Sequence, residues 1–578
     1  MKRWMWSAIG IVALAAVIWA GAEIAAPRQE VAPLMPDGAL LYLEAKDFRG
    51  LLKDWNDSQE KRAWLKGDDY AAFSRSRLFE RLSQAGDEFA AAASLATDNA
   101  FLSSVAGKQS ALALYDIGNL EFVYVTRMDE SAVETTPLWQ ARSKFEPRRE
   151  GVADFYIHKD TQSNRTAAFA VRDGWLVLGT REDLVTGVLD RILGTQARAL
   201  PDEAWFADAV KTRAAPADDL RMVLNLEKIV PSPYFRSYWV QRNITEMKQY
   251  RAALCDLHRT QQLYREDRVL LRKPGVDSRA SGDVQSLASL APDDAGFYSA
   301  QASPDGERVL SELRENLLDV KAAQARAAWT APVAATAETA GTASLLEERI
   351  DVAPAIVKQS DPYQPLRALL NGAQPAAMLE VYSTRTPQNE MFVNIDRAIV
   401  IEASQNWDEA GVKSALTAAL RPALTASQMG VQWIRHENTG GSYSALDGPV
   451  RFYMAVRGRQ LFVGSNQGLI ERLLTQKQKP GQAQDRGVTY AAVFRHAPRE
   501  QRTFRKLVNR IDHANHASNT AAAGEENADG AQGQAPPFFS GNMASLSNMF
   551  ARVSMESIQE KDQGSQVSQT VVYQWQHP

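Results

Sequence analysis

The sequence predicts an α+β protein of two homologous repeats, each a largely antiparallel sheet with helices packed on one face, after one N-terminal hydrophobic helix. Three observations in its 578 residues predict this class. A long apolar segment without charge stands near the N-terminus, strand-like runs joined by short turns alternate with amphipathic stretches, and landmarks of the first half recur in order in the second. Neighbouring strands joined by short turns favour antiparallel pairing.

The N-terminal segment follows Lys2-Arg3 and runs from Trp4 to Ala22, nineteen residues without a charge. At ~1.5 Å per residue it reaches about 28 Å, enough to cross a bilayer core. Its flanking tryptophans favour a retained transmembrane anchor, whereas Ala20-Gly21-Ala22 is an acceptable signal-peptide cleavage site. Residues 1–26 are therefore predicted to be an anchor or a signal peptide, and the rest of the chain is predicted to be exported.

The first repeated landmark is a turn followed by a strand. It reads LMPDGALLYLEA at residues 34–45 and LAPDDAGFYSAQ at residues 290–301, an offset of 256. Proline and aspartate are typical of turns, and the apolar run that follows predicts the first strand of each repeat. We therefore interpret Asp37 and Asp293 as turn residues rather than catalytic carboxylates.

The second landmark is a strand, a tight turn, another strand and the start of a helix. It reads AVRDGWLVLGT at residues 170–180 and AVRGRQLFVGS at residues 455–465, an offset of 285. Thr180 and Ser465 are predicted to cap the helices that follow. Apolar residues recur there at helical spacing, namely Leu184, Val185, Val188 and Leu189 in one copy and Leu469, Ile470, Leu473 and Leu474 in the other.

A third, weaker match closes each half, with QQLYREDRVLLR at residues 261–272 and QGSQVSQTVVYQ at residues 563–574, an offset of 302. The offset grows because only the second copy contains two Ala/Gly/Gln-rich stretches without apolar periodicity, near residues 331–343 and 514–537. Such composition predicts disordered insertions. The predicted repeats are residues 27–275 and 276–578.

Within the first repeat, apolar spacing predicts a helix over residues 69–95, and alternation predicts a hairpin around Ile117-Gly118-Asn119. The residues that carry these predictions are Leu78, Phe79, Leu82 and Phe89 for the helix and Leu112, Leu114, Phe122, Tyr124 and Val125 for the hairpin. The corresponding strands of the second repeat are predicted from Met378, Leu379, Val381, Phe392, Ile399 and Ile401.

The charge balance, 65 Lys and Arg against 69 Asp and Glu, gives a net charge of -4 and argues against a nucleic-acid partner. Cys255 is the single cysteine, so an intramolecular disulfide and a cysteine-rich zinc site are excluded. We interpret Cys255 as a partly buried, unreactive residue.

No catalytic signature stands out. Residues 106–109, AGKQ, lack the earlier glycine and the Ser/Thr of a phosphate loop and predict an ordinary turn. Asp512, His513 and His516 have a spacing that suits a divalent metal, but exposed polar residues are common where a helix runs into an insertion, and that interpretation is preferred. We assign no catalytic residue, no metal site and no cofactor.

With these landmarks, the chain resembles a family of bacterial envelope proteins of unknown function. The resemblance rests on the N-terminal hydrophobic segment, the Pro-Asp-x-Ala-x-x-Tyr strand at residues 36–42 and the Asp-Gly-Trp-Leu-Val-Leu-Gly-Thr junction at residues 173–180. It implies an envelope location and no catalytic residues. The second copy departs from the junction pattern, with Arg459-Gln460 in place of Gly174-Trp175.

The expected function is a binding or scaffolding role in a membrane-anchored, extracytoplasmic protein, with a single span and its C-terminal bulk outside the cytoplasm. The expected partners are the membrane, through Trp4 to Ala22, and an envelope protein or a small ligand. Two alternatives stay open: an exported, hydrolase-like enzyme with its site between the repeats, and a solute-binding protein secreted or released to the periplasm after cleavage near Ala22.

Overall fold

The computed structural model describes residues 30–66, 70, 73–195, 198–213, 219–238, 247–260, 263–276, 284–319, 361–385, 394–424, 432–447, 452–478, 487–495 and 553–575. They form two compact units. The first unit contains the described residues from 30 to 276 together with 553–558 and 563–575, and the second contains those from 284 to 495 together with Gln559–Asp562.

The strands are β1 Leu41–Ala45, β2 Ser110–Asp116, β3 Glu121–Arg127, β4 Glu146–Glu150, β5 Ala153–Lys159, β6 Thr166–Arg172, β7 Trp175–Gly179, β8 Leu220–Leu224, β9 Tyr250–Arg259, β10 Leu263–Arg272, β11 Phe297–Ala302, β12 Pro375–Arg385, β13 Asn394–Ala403, β14 Gln432–Asn438, β15 Gly441–Asp447, β16 Phe452–Arg457, β17 Gln460–Gly464, β18 Val488–Arg495, β19 Val553–Asp562 and β20 Gln566–Trp575.

The helices are α1 Phe48–Asp57, α2 Gln59–Lys66, α3 Arg77–Ala93, α4 Asn99–Val105, α5 Glu130–Glu134, α6 Pro137–Gln140, α7 Glu182–Ile192, α8 Ala204–Lys211, α9 Leu226–Ile229, α10 Pro233–Tyr238, α11 Val284–Ala288, α12 Gly306–Leu313, α13 Gln364–Ala373, α14 Glu409–Leu424 and α15 Gln467–Thr475. A π-helical turn, Arg314–Leu318, continues α12. Short 3₁₀ turns lie at Ala32–Leu34, Arg142–Lys144 and Leu200–Asp202.

The sheet of the first unit is antiparallel in the order β4-β5-β6-β7-β3-β2-β1-β8-β9-β10-β20. The sheet of the second unit is antiparallel in the order β14-β15-β16-β17-β13-β12-β11-β18. The first eight strands of the two orders correspond one to one. Among these eight, each strand from β1 to β8 has the same neighbours as its counterpart from β11 to β18. The predicted α+β class with antiparallel sheets is confirmed.

Helices cover both faces of each sheet, so the prediction of helices on one face is wrong. In β7, Trp175 and Val177 pack in a cluster with α7, while Leu176 and Leu178 pack in a cluster with α3 and α4. In the second unit, alternate residues of β17 pack in the same way with α13 and α14 or with α11 and α15. All five residues of β7 are buried, which is typical of a strand covered on both sides.

The first strand, β1, lies between β2 and β8, and its Tyr42 is completely buried. The turn before it contains Gly38, whose φ of 91° suits glycine and whose amide donates to Glu203 Oε1 at 2.7 Å. Asp37 lies in this turn, 3.6 Å from Arg198. These contacts fix the start of β1 against α8.

The strand–turn–strand junctions form as predicted, but their hydroxyls do not cap the helices. Thr180 Oγ1 accepts a hydrogen bond from Phe122 N at 2.9 Å, and Ser465 Oγ accepts one from Arg397 N at 2.9 Å. Helix α15 is capped instead by Asn466, which accepts from Leu469 N. The prediction that Thr180 and Ser465 cap these helices is wrong, because each hydroxyl accepts its hydrogen bond from the backbone of a neighbouring strand.

The helix predicted over residues 69–95 is confirmed over Arg77–Ala93. The hairpin predicted around Gly118 is confirmed as β2 and β3. Several predictions lie outside the described residues: the segment from Trp4 to Ala22, the insertions near 331–343 and 514–537, Phe392, and the Asp512, His513 and His516 cluster. Among the residues that the structure describes, no helix has the length and apolar character to cross a membrane.

Candidate functional site

An apolar cavity of about 160 Å³ lies in the first unit between helices α3 and α4 and the sheet face of β2, β3 and β7. Most of its lining is hydrocarbon. The lining residues are Phe48, Leu82, Ala85, Gly86, Phe89, Thr97, Phe101, Leu102, Val105, Leu112, Leu114, Leu120, Phe122, Tyr124, Arg165 and Leu178. An apolar concavity with few polar groups is the usual form of a small-molecule site.

The floor of the cavity follows from strand alternation. Leu112 and Leu114 of β2 line it, whereas the alternate residues Ala111 and Ala113 pack in the core on the opposite face. Leu112 and Leu114 are only half-buried. On the helical side, Ala85 and Gly86 contribute little side-chain volume, so space is left above these leucines.

The helices above the cavity are held by well-formed caps. Helix α3 begins after Ser76, whose side chain accepts from Phe79 N at 3.1 Å, and α4 begins after Asp98, whose Oδ1 accepts from Phe101 N at 2.9 Å. Thr97 Oγ1 donates to Gly86 O at 3.3 Å and ties the loop between the helices to α3. Caps of this kind each stabilise a helix by ~1 kcal/mol.

Most polar atoms near the cavity are hydrogen-bonded elsewhere. The Tyr124 hydroxyl donates to Val105 O at 3.2 Å, so mainly its ring is left to the cavity. Arg165 is the one charged residue in the lining, and its side chain is 6% exposed. Its guanidinium donates to Asn119 O at 2.6 Å and Leu120 O at 3.0 Å and pairs with Glu121 at 3.1 Å.

The same register position in the second unit is polar. Leu112 pairs with Leu43 of β1, and its positional equivalent Glu380 pairs with Ser299 of β11. Glu380 Oε2 accepts from the hydroxyl of Tyr382 at 3.2 Å. Burial raises the pKa of the Glu380 carboxyl to about 7, with the charge of Glu312 acting in the same direction.

A second concavity of the first unit, about 680 Å³, is polar and lies by Asp208, Lys211, Arg251, Arg272, Lys273 and the turn at residues 564–566. It is larger than the apolar cavity, but it is more open to solvent. Arg251 pairs there with Asp208 at 2.8 Å, and Arg272 donates to Gly564 O at 2.8 Å. These contacts involve two of its four cations. We take the apolar cavity as the better candidate because it is less open to solvent and its lining is almost wholly apolar.

The residues singled out in the sequence do not converge on either concavity. Residues 106–109 form the turn before β2, where Gly107 N donates to Thr126 Oγ1 at 3.0 Å and a Cβ at Gly107 would meet Arg127 O at 2.2 Å. Cys255 lies in β9, and burial raises the pKa of its thiol to about 12, so little thiolate exists at neutral pH. In the described part of the chain, no three His, Cys, Asp or Glu side chains group around a metal position.

Sequence patterns named several lining residues only as members of a predicted helix or hairpin, among them Leu82, Phe89, Leu112 and Phe122. Arg165 was missed. Its one signal is a lone arginine just before the apolar run of β6, and such a residue is usually solvent-exposed. Only the long-range approach of β6 to the β2–β3 turn reveals that it is buried.

No protein-family model and no curated protein matches the chain. Among solved structures, the chain is similar to one described as "Structure of crystal form I of TP0453", with 10% sequence identity, coverage of 46% of this chain and 85% of that chain, and a TM-score of 0.23. The interpretation of the cavity therefore rests on its own residues.

Proposed function

We propose that this protein is a membrane-anchored, extracytoplasmic binding protein of the bacterial envelope whose first unit holds a small apolar ligand. The observation that carries the proposal is the cavity of about 160 Å³ under α3 and α4, lined almost entirely by hydrocarbon. An engineered apolar cavity of about 150 Å³ stays dry and binds benzene. A ligand of about six to eight carbon atoms therefore fits by size and polarity.

The character of the lining favours an apolar occupant. The cavity is partly open to solvent and its lining is almost wholly apolar. Water in contact with such a surface is displaced favourably by an apolar group.

We also infer that the two units derive from duplication of one α+β unit. Eight strands pair in the same order in each unit. The sequence offset of 256 between the first strands, β1 and β11, also relates residues with equivalent pairing partners. Tyr42 pairs with Val223 of β8, and Tyr298 pairs with Val493 of β18. The unequal chemistry of Leu112 and Glu380 is what divergence of two copies would produce.

Photolabelling of the full-length protein in its native membrane tests the ligand proposal. The probe is 3-trifluoromethyl-3-phenyldiazirine, a small apolar carbene precursor, and adducts are mapped by peptide mass spectrometry. We expect adducts on peptides within residues 77–105 and 110–127. Leu112→Trp, which places an indole in the cavity, should reduce these adducts at least threefold.

The matched control is Val152→Trp, because Val152 is 70% exposed and does not line the cavity. It should leave the adducts on these peptides unchanged. Absence of adducts there in the parent protein, or equal labelling of the Leu112→Trp variant, would contradict the proposal.

The anchor assignment has its own test. We expect the mature protein to retain the segment from Trp4 to Ala22, to stay in membranes after carbonate washing, and to be digested by protease added outside spheroplasts. We expect retention because the apolar segment is long enough to cross a bilayer and has tryptophans at both ends. Intact-mass measurement decides, because a mature chain beginning at Glu23 would instead establish cleavage after Ala22.

A further inference from the structure

The sheet of the second unit ends in an exposed strand, β14. It pairs with β15 on one side, and among the described residues no strand pairs with its other side. Ile434 is 43% exposed, and the side chains of Arg435 and Glu437 are 62% and 79% exposed. A strand edge of this kind presents backbone N–H and C=O groups to which a further strand can pair.

The register of the β14–β15 hairpin shows which backbone groups face this edge. Asn438 and Gly441 pair across a two-residue turn, so they are a hydrogen-bonded pair. Hydrogen-bonded and non-hydrogen-bonded pairs alternate along an antiparallel ladder. The N–H and C=O groups of Arg435 and Glu437 therefore point away from β15, towards the exposed edge.

The corresponding edge of the first unit is blocked. Strand β4 ends that sheet, and its Glu150 pairs with Ala153 across a two-residue turn. By the same alternation, the backbone of Pro147 faces outward, and proline has no N–H to offer to a further strand. Counted back from the turn, Pro147 occupies the position of Arg435 in β14. Strand β14 contains no proline, so its edge lacks this protection.

The charges of β14 fit a second copy of the same strand. If two copies pair antiparallel about a two-fold axis at His436, Arg435 of each copy lies opposite Glu437 of the other. Opposite charges directly across an antiparallel pair stabilise it, whereas like charges destabilise it. Moving the axis to Arg435 or to Glu437 would place two copies of that residue opposite each other. The charge pattern therefore favours one register over its two neighbours.

We propose that β14 is the interface of a homodimer, in which two copies of the chain pair antiparallel through this edge with Arg435 opposite Glu437 on both sides of the axis. The same surface patch meets itself, as in most two-fold dimers. Because β14 has only seven residues, the contact is small and the dimer is expected to be weak. This inference goes beyond the proposed function and does not depend on a ligand in the first unit.

Disulfide trapping of the full-length protein in its native membrane tests the register. His436→Cys places two thiols at a directly opposed, non-hydrogen-bonded pair with Cα atoms about 4.5 Å apart, a distance that suits a disulfide. Ile434→Cys is the matched control, because the proposed register separates its two copies by about 13 Å along the strands. We expect at least fivefold more disulfide-linked dimer from His436→Cys. The parent chain, whose one cysteine is Cys255, gives the background.

Charge reversal tests the partner. Arg435→Glu and Glu437→Arg each place like charges opposite each other, so each variant should associate with itself roughly tenfold less than the parent protein does. Mixed together, the two variants should associate as well as the parent protein, because every pair then has opposite charges. Co-purification of full-length chains that carry two different tags measures both effects, and recovery on mixing also shows that both variants are folded.

The control for charge is Arg149→Glu, which reverses an arginine of β4 that is 68% exposed. It should leave self-association unchanged. Equal trapping of His436→Cys and Ile434→Cys, or no dimer above the background, would overturn the proposal. So would charge variants that self-associate like the parent protein, or a disulfide from His436→Cys to a different protein.

Discussion

Replacing Arg221 with methionine should lower the free energy of unfolding of the first unit by about 3–5 kcal/mol, the range for breaking a buried ion pair. Arg221 forms a bidentate pair with Asp256, at 2.7 and 2.8 Å, between β8 and β9. The side chains are 8% and 4% exposed. The loss is large because the Asp256 carboxylate would remain buried without its main partner.

Hydrogen exchange of the β8 and β9 amides in the full-length protein measures this effect locally. Arg251→Met is the matched control, because Arg251 pairs with Asp208 at a similar 2.8 Å but with side chains 30% and 46% exposed. Exposed pairs contribute about 0–1 kcal/mol. Equal losses in the two variants would contradict the prediction.

The double variant Arg221→Met with Asp256→Leu separates an unpaired charge from lost packing. Exchanging both partners of a buried pair for apolar residues is often neutral or stabilising. We therefore expect it to recover most of the stability that Arg221→Met loses. A double variant as unstable as the single one would point to side-chain packing as the cause.

Replacing Glu380 with glutamine should stabilise the second unit at pH 8 by up to roughly 3 kcal/mol, taking 1.36 kcal/mol per pKa unit. Burial raises the folded-state pKa of Glu380 to about 7, from an ordinary value of 4.5. The folded state therefore binds a proton that the unfolded state has released between these values. Stability falls as pH rises from about 4.5 to about 7 and then levels off.

The groups that face Glu380 explain why its charge is poorly compensated. Tyr382 donates to it, and Glu312 opposes its ionisation from α12. Arg308 and Arg397 favour ionisation, but Arg308 pairs with Glu312 at 2.8 Å and Arg397 donates to Asn316. Burial is therefore the larger effect.

Exchange of the β11 and β12 amides, corrected for intrinsic rates, measures the pH dependence in the full-length protein. The Glu380→Gln variant should lose the decline between pH 4.5 and 7 and match the parent protein near pH 4.5. The control, Glu437→Gln, alters a carboxyl that is 79% exposed. It should change neither the decline between pH 4.5 and 7 nor the stability near pH 4.5. A parent protein whose stability is flat across this window would overturn the prediction.

Local patterns predicted the strands well. The turn and apolar run around Gly38 and the paired junctions around Gly174 and Gly458 were sufficient, because hairpin turns and period-two alternation are set by neighbouring residues. The covering of both sheet faces was missed even though β7 is apolar at every position. An uninterrupted apolar run indicates a strand that is buried on both faces, whereas the sequence prediction used it only as evidence for a strand.

The site was less predictable for a physical reason. Leu112 and Glu380 occupy the same register position, yet only their contacts with distant helices make one a cavity wall and the other a buried acid. Arg165 depends likewise on the carbonyls of Asn119 and Leu120, more than forty residues away along the chain. Thr180 and Ser465 were assigned to the wrong partner because a strand supplied donors that local spacing does not reveal.

The pairing of β20 with β10 has a consequence for biosynthesis. Thr570 donates to Asp267 across 303 residues of chain, and the strands pair from Leu263–Gln574 to Leu271–Gln566. At 5–20 residues per second, the ribosome needs roughly 15–60 s to add this length. Throughout that interval β10 has an unpaired edge, which invites association with other chains. A nascent chain of this protein is therefore expected to depend on chaperones until β20 emerges.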